Sequence, residues 1–123
     1  MTVQELYDSI GASYDSAKRI LQVDKLIGKF VLKFLDDKSC EKLMSGWTAK
    51  DAAAVFEGAH AMKGVCANLG LNHLSEQASA IAEEFRPGNA RTMDDDAVSA
   101  LLAALRADYD KTIAGIQAFA AEQ

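Results

Sequence analysis

The sequence predicts an all-α protein: an antiparallel four-helix bundle with short additional helices at its N-terminus. Three observations carry that prediction. Ala, Leu, Lys and Glu are abundant and there is one proline in 123 residues, a composition that favours helices. Apolar residues recur in steps of three and four through most of the chain, the period of an amphipathic helix. No run of five or more β-branched and aromatic residues alternates with polar ones, so no strand is expected.

Each element has a local reason. Thr2-Val3-Gln4-Glu5 reads as a capping box, and the short helix it opens should stop near Gly11. A second short helix starts at Ser13 and covers Ala17 to Leu21. Asp24 reads as the next N-cap, followed by the stripe Leu26, Ile27, Phe30, Val31, Phe34 and Leu35. Asp36 and Asp37 lie at the wrong end for the helix dipole, so that helix breaks there. Ser39 opens a short segment with Leu43 and Met44, ending at Gly46. Thr48 is expected to cap the following helix, whose seam is Ala52, Val55, Ala59, Met62, Cys66 and Leu69. Gly70 can take the positive φ that ends it.

Asn72 is then expected to cap a helix that buries Leu74, Ala78, Ile81, Ala82 and Phe85 and stops at Arg86-Pro87-Gly88. Thr92 or Asp94 caps the last helix, where Asp94-Asp95-Asp96 suits the positive N-terminal end of the dipole. Its stripe is Val98, Leu101, Leu102, Leu105, Tyr109, Ile113, Ile116 and Phe119, over roughly 40 Å. The short N-terminal helices occupy about 1–22 and the bundle about 24–121, giving one domain over 1–123.

Composition narrows the function. The chain has 123 residues and a net charge of −5, with a pI near 4.9. A chain this size buries roughly two-thirds of its unfolded surface and lacks room for separate nucleotide and substrate domains. The acidic balance argues against nucleic acid and against anionic lipid. The first residues resemble no signal peptide, and the apolar stretch 27–35 is interrupted by Lys29 and Lys33, so no membrane span is expected. Cys40 and Cys66 form no metal or redox motif, and a cytoplasmic compartment with reduced thiols is expected.

Only two histidines are present. On a helical projection His60 lies about 130° from the centre of the seam, on the solvent side with Glu57, Gly64, Ala53 and Ala67. The plain reading of such a histidine is an ordinary surface residue. Its neighbours favour another. His60 shares a face with Lys63 at i+3 and Gly64 at i+4. A glycine within a helix costs about 1 kcal/mol relative to alanine, and this one clears an approach to the ring. Gly58 carries the same cost just before His60. An exposed imidazole nucleophile beside an ammonium is suited to holding a phosphoryl group. Phe56, about 90° from the seam, would be half exposed beside the histidine.

The segment Ala59-His60-Ala61-Met62-Lys63-Gly64-Val65-Cys66-Ala67-Asn68-Leu69-Gly70 resembles the signature of histidine-containing phosphotransfer (HPt) domains, A-H-x-L-K-G-x-x-x-x-x-G on the second helix of a four-helix bundle. Met62 stands where leucine is usual, a swap that conserves volume. The resemblance extends over about Asp24 to Phe119 and is weakest in the first twenty residues. It implies a phosphorelay intermediate of the stand-alone bacterial type. His60 is then the phosphoacceptor, Lys63 stabilises the phosphate, Gly64 admits the receiver, and Gly70 shapes the turn. Phe56, Glu57, Ala53, Ala67 and Gly70 are the candidate binding residues. The implied partners are receiver domains of a hybrid histidine kinase, a response regulator, or both, met by a monomer. No cofactor is expected on this chain, with Mg²⁺ expected on the receiver. The chain has no phosphate-binding loop, so it reads as a carrier rather than an enzyme.

Other features have simpler readings. His73 is expected to serve a capping role. A zinc site from His60, His73 and Cys66 fails because Cys66 belongs to the seam. Asp94 to Asp96 lacks the pattern of a calcium loop. Lys29, Lys33, Lys38 and Lys42 read as solvated surface, and Trp47 as a staple or core plug. The alternative function is a non-phosphorylated helical adaptor that docks a receiver or another protein without chemistry.

Overall fold

In a computed structural model describing residues 1–123, the chain forms seven helices and no strand. They are α1 (Val3–Ile10), α2 (Tyr14–Leu21), α3 (Asp24–Phe34), α4 (Ser39–Thr48), α5 (Ala52–Asn68), α6 (Asn72–Phe85) and α7 (Asp95–Ala121). α5 lies between α4 and α6, its two most extensive neighbours, and α7 packs on α6, α1 and α3. Short turns between consecutive long helices produce the antiparallel helical bundle that the periodicity predicts. One cluster of 24 buried apolar residues draws on all seven helices.

Several boundaries form as the sequence predicts. The Thr2–Glu5 capping box is complete, and Gly11 ends α1 at φ 69°. The Ser13 side chain caps α2. α5 closes in a Schellman turn: the Leu71 N–H donates to Cys66 O at 2.9 Å and the Gly70 N–H to Ala67 O at 3.2 Å. Gly70 holds the left-handed φ of 71° that this motif requires. α6 stops at Arg86, before Pro87.

Other boundaries differ, for identifiable reasons. Asp24 is the first residue of α3 rather than its cap. Its carboxylate accepts from Lys18 Nζ at 3.0 Å and from the Tyr14 hydroxyl, tying α3 to α2. α4 continues through Gly46 to Thr48, because Gly46 is a packing contact and not a stop. A Cβ there would lie 2.9 Å from the backbone nitrogen of Val55. Thr48 turns its hydroxyl back onto Met44 O, and Asp51 caps α5 by accepting from Ala54 N at 3.1 Å. Asn72 donates to Ser16 Oγ at 3.1 Å instead of capping α6. Asp94, not Thr92, caps α7. The apolar stripes are also narrower than the pattern implies. Leu26, Phe30 and Leu101 are exposed, and so is Ala52.

The N-terminal helices are built into the bundle. Leu6, Tyr7 and Ala17 are fully buried. The buried Tyr7 hydroxyl donates to Leu69 O at 2.6 Å, and the Ser13 N–H donates to Gly70 O at 2.9 Å. Both bonds fall on the α5–α6 turn, so the first helices clamp the corner that ends α5. At the opposite end, Trp47 donates to Ser99 Oγ at 3.1 Å and meets Phe85 edge-on at 5.9 Å. It therefore plugs the space between α4, α6 and α7 and is not a staple. The buried Glu84 accepts from the N–H groups of Thr92 at 2.6 Å and Met93 at 2.7 Å, and from the Thr92 hydroxyl at 2.9 Å. These bonds fix the loop into α7.

Two predictions follow from these ties. Tyr7→Phe leaves the Leu69 carbonyl without its buried donor and should cost about 1–3 kcal/mol in urea unfolding. The Met93 N–H, with the other donors, holds the Glu84 carboxyl below the ordinary carboxylate range. A depressed folded pKa contributes stability above the unfolded value of about 4.3 and loses it as pH falls through the folded value. Glu84→Gln should therefore lower the melting temperature at pH 7, and the gap to wild type should close toward pH 3. A gap independent of pH contradicts this account.

Candidate functional site

α5 has two unlike sides. Val55, Ala59, Met62 and Cys66 are buried, and on that side the helix approaches α4 at backbone distance. A Cβ on Gly58 would stand 2.6 Å from the backbone nitrogen of Leu43. Gly58 is thus required by the crossing, which answers the helix-weakening cost the sequence assigns to it. Burial of this side fixes the rotation of α5 and turns His60 outward, where it is exposed.

The imidazole of His60 is not loose. It stacks on Phe56, one turn earlier, with ring centroids 5.5 Å apart and planes 18° from parallel. Phe56 itself is half-buried. Gly64, one turn later, is exposed, and a Cβ placed there would meet nothing within 4 Å. The surface at Gly64 is therefore open. Lys63 is half-buried between core and solvent, and its backbone carbonyl accepts from Ser75 Oγ of α6 at 3.0 Å. His60, Lys63 and Gly64 therefore share one face, as the spacing requires.

The remaining candidates divide. Ala53 and Ala67 are exposed on the same helix. Glu57 is exposed and paired with Lys42 of α4 at 2.6 Å, so Lys42 is not simply solvated. Gly70 is not part of any accessible surface. It is buried, and a Cβ there would lie 2.3 Å from Ser13 O, so its place is the α5–α6 corner. His73 does not cap α6. It stays exposed, with Nε2 3.0 Å from Asp108 Oδ2 of α7.

Some neighbours of the site are not visible in the sequence pattern. Arg86 and Glu83, at the end of α6, approach the histidine through Phe56: the guanidinium carbon lies 5.3 Å from the Phe56 ring centroid. Arg86 bonds Glu83 Oε1 through Nη2 at 2.7 Å and Nε at 3.2 Å. This bond, aided by the charge of Lys63, keeps the Glu83 carboxyl below its usual range. In the sequence Arg86 stands out only as part of a helix stop. Beyond Val65, an apolar groove of roughly 340 Å³ runs between α2, α3 and α5, lined by Ile20, Phe30, Phe34 and Leu69 among others.

The two thiols offer no competing nucleophile. Burial pushes Cys66 up to about 12 and Cys40 up to about 11, so both are protonated at neutral pH. No group of three or more His, Cys, Asp or Glu side chains is placed to hold a metal ion. No helix is long and apolar enough to cross a membrane.

The architecture is thus a helical bundle with an exposed imidazole midway along its fifth helix. The Hpt domain family matches residues 16–114, and the chain belongs to that family. No curated protein and no solved structure matches the chain. Hpt domains are phosphotransfer modules of two-component signalling, carriers of phosphoryl groups that work with kinase and receiver partners.

The two glycines of α5 should respond oppositely to a methyl group. Gly58→Ala forces a side chain into the backbone of α4 and should cost about 1–3 kcal/mol. Gly64→Ala meets no atom and removes the helix penalty of glycine, so it should stabilise by about 0.5–1 kcal/mol. Urea unfolding of the two variants checks both signs.

Proposed function

We propose that His60 is the phosphoacceptor of a two-component phosphorelay. It takes the group from a phospho-aspartate of one receiver domain and gives it to an aspartate of another. A neutral ring nitrogen attacks phosphorus, an N–P bond forms, and the acyl-phosphate O–P bond breaks to release the receiver carboxylate. The return step reverses these events on the second receiver.

Each residue has a physical task in that exchange. The exposed His60 ring supplies the nucleophile. The Lys63 ammonium offsets negative charge on the phosphoryl oxygens as a mobile point charge. Gly64 leaves room for the receiver's phosphorylated aspartate to come within bonding reach. Ala53 and Ala67 keep the flanks of the helix low, and Phe56 and Glu57 supply apolar and charged contact beside them. Such a patch suits a transient interface of modest area. The receiver brings Mg²⁺ and much of the positioning that phosphoryl transfer requires.

The observation that carries this reading is the empty space at Gly64. A helix that accepts the cost of glycine at an exposed position, where an added Cβ would meet no neighbouring side chain or helix within 4 Å, gains nothing for its own packing. The gain lies in access to the adjacent ring. A docking adaptor without chemistry needs neither that access nor an adjoining lysine.

The protein should acquire an acid-labile, base-stable label from a phosphorylated receiver, and His60→Gln should abolish it. Gly64→Ala should slow transfer by about tenfold or more although it stabilises the fold. Labelling that survives His60→Gln, or partner binding with no transfer in the wild type, overturns the proposal in favour of another site or of the adaptor.

A further inference from the structure

The ring of His60 is held by a chain of contacts that crosses from one helix to the next. His60 stacks on Phe56 within α5. Phe56 lies under Arg86, the residue that ends α6. Arg86 is pinned in turn by two hydrogen bonds to Glu83 Oε1. An exposed histidine on a helix ordinarily samples several rotamers. A near-parallel ring one turn away removes part of that freedom, because the imidazole keeps its face on the phenyl group.

From this geometry we infer that Phe56 is a positioning residue for phosphotransfer, braced by the Arg86–Glu83 pair. The inference rests on the assignment of His60 as the phosphoacceptor. Phe56 acts through the imidazole and not on the phosphoryl group. It fixes the plane of the imidazole, so that a ring nitrogen projects from the edge of the stack for in-line attack on phosphorus. Arg86 favours the flat face of Phe56 by a cation–π contact, and Glu83 keeps the guanidinium from swinging into solvent. The orientation of the nucleophile is thereby coupled to the packing of α6 on α5. The two Arg86 bonds to Glu83 Oε1, at 2.7 and 3.2 Å, keep the guanidinium at the ring.

Phe56→Leu keeps an apolar side chain at this half-buried position and removes the flat face. Phe56→Trp restores a face. Arg86→Gln leaves the stack but removes the brace. Three measurements on the full chain read the effect: transfer rate at saturating phosphorylated receiver, receiver affinity, and the ring-proton NMR shifts of His60. Phe56→Leu should slow transfer at saturating receiver by about tenfold, a loss beyond any change in receiver affinity, with a melting temperature close to wild type. The His60 ring protons should lose the upfield ring-current shift in the same variant. Phe56→Trp should recover both, and Arg86→Gln should give a smaller loss of rate. Wild-type rate in Phe56→Leu, with His60→Gln inactive, overturns the positioning role and leaves the phosphoacceptor assignment intact. A loss confined to receiver affinity also overturns it, by making Phe56 a docking contact only. A wild type that takes no label from any receiver refutes the assignment itself, whatever the NMR shifts show.

Discussion

The close crossing of α4 and α5 is the constraint on which the site depends. Gly58 meets the backbone of Leu43, and Gly46 meets the backbone of Val55. Without a side chain at either contact, the two helices approach more closely than ordinary ridges and grooves allow. The consequence is rotational. With Gly58, Ala59, Met62 and Cys66 committed to the interior, the opposite side of α5 has only one way to face. His60 and Gly64 occupy it. The exposure of the histidine is therefore a property of the interface behind it rather than of the residue itself.

The ends of α5 are fixed with comparable economy. Asp51 caps its start, and the Schellman turn at Gly70 closes it. That turn is where α1 and α2 attach, through Tyr7 and Ser13. The N-terminal segment, the part of the chain least like the family signature, thus braces the corner that ends α5. At the far side, Ser75 and the Arg86–Glu83 pair bring α6 against the same helix. Packing from three directions lets an exposed side chain keep a defined orientation while solvent and partners retain access to it.

Much of this was legible in the sequence, and the failures have a common cause. Helix number, the buried seam of α5 and the outward position of His60 follow from the period of apolar residues. The His60, Lys63 and Gly64 set follows from spacing on one helix. The misread positions are those whose role depends on a partner distant in sequence. Gly46 looks like a stop and Gly58 like a weakness until α4 and α5 are placed side by side. Asp24, Thr48 and Asn72 are good caps by residue type, but tertiary partners or a neighbouring Asp51 take precedence. Gly70 has the spacing of a site residue and the burial of a structural one. Arg86 carries no periodic signal, because its contact with Phe56 joins two helices at their surfaces.

The proposed function turns on which of the two imidazoles carries the phosphoryl group, His60 on α5 or His73 on α6. Side-chain imidazole NMR of the protein, recorded before and after exposure to a phosphorylated receiver, separates them directly. The account predicts that a ring nitrogen of His60 acquires coupling to phosphorus while the resonances of His73, held by Asp108, stay in place. Phosphorus coupling on His73, or none on either ring while label is present on the protein, would contradict it.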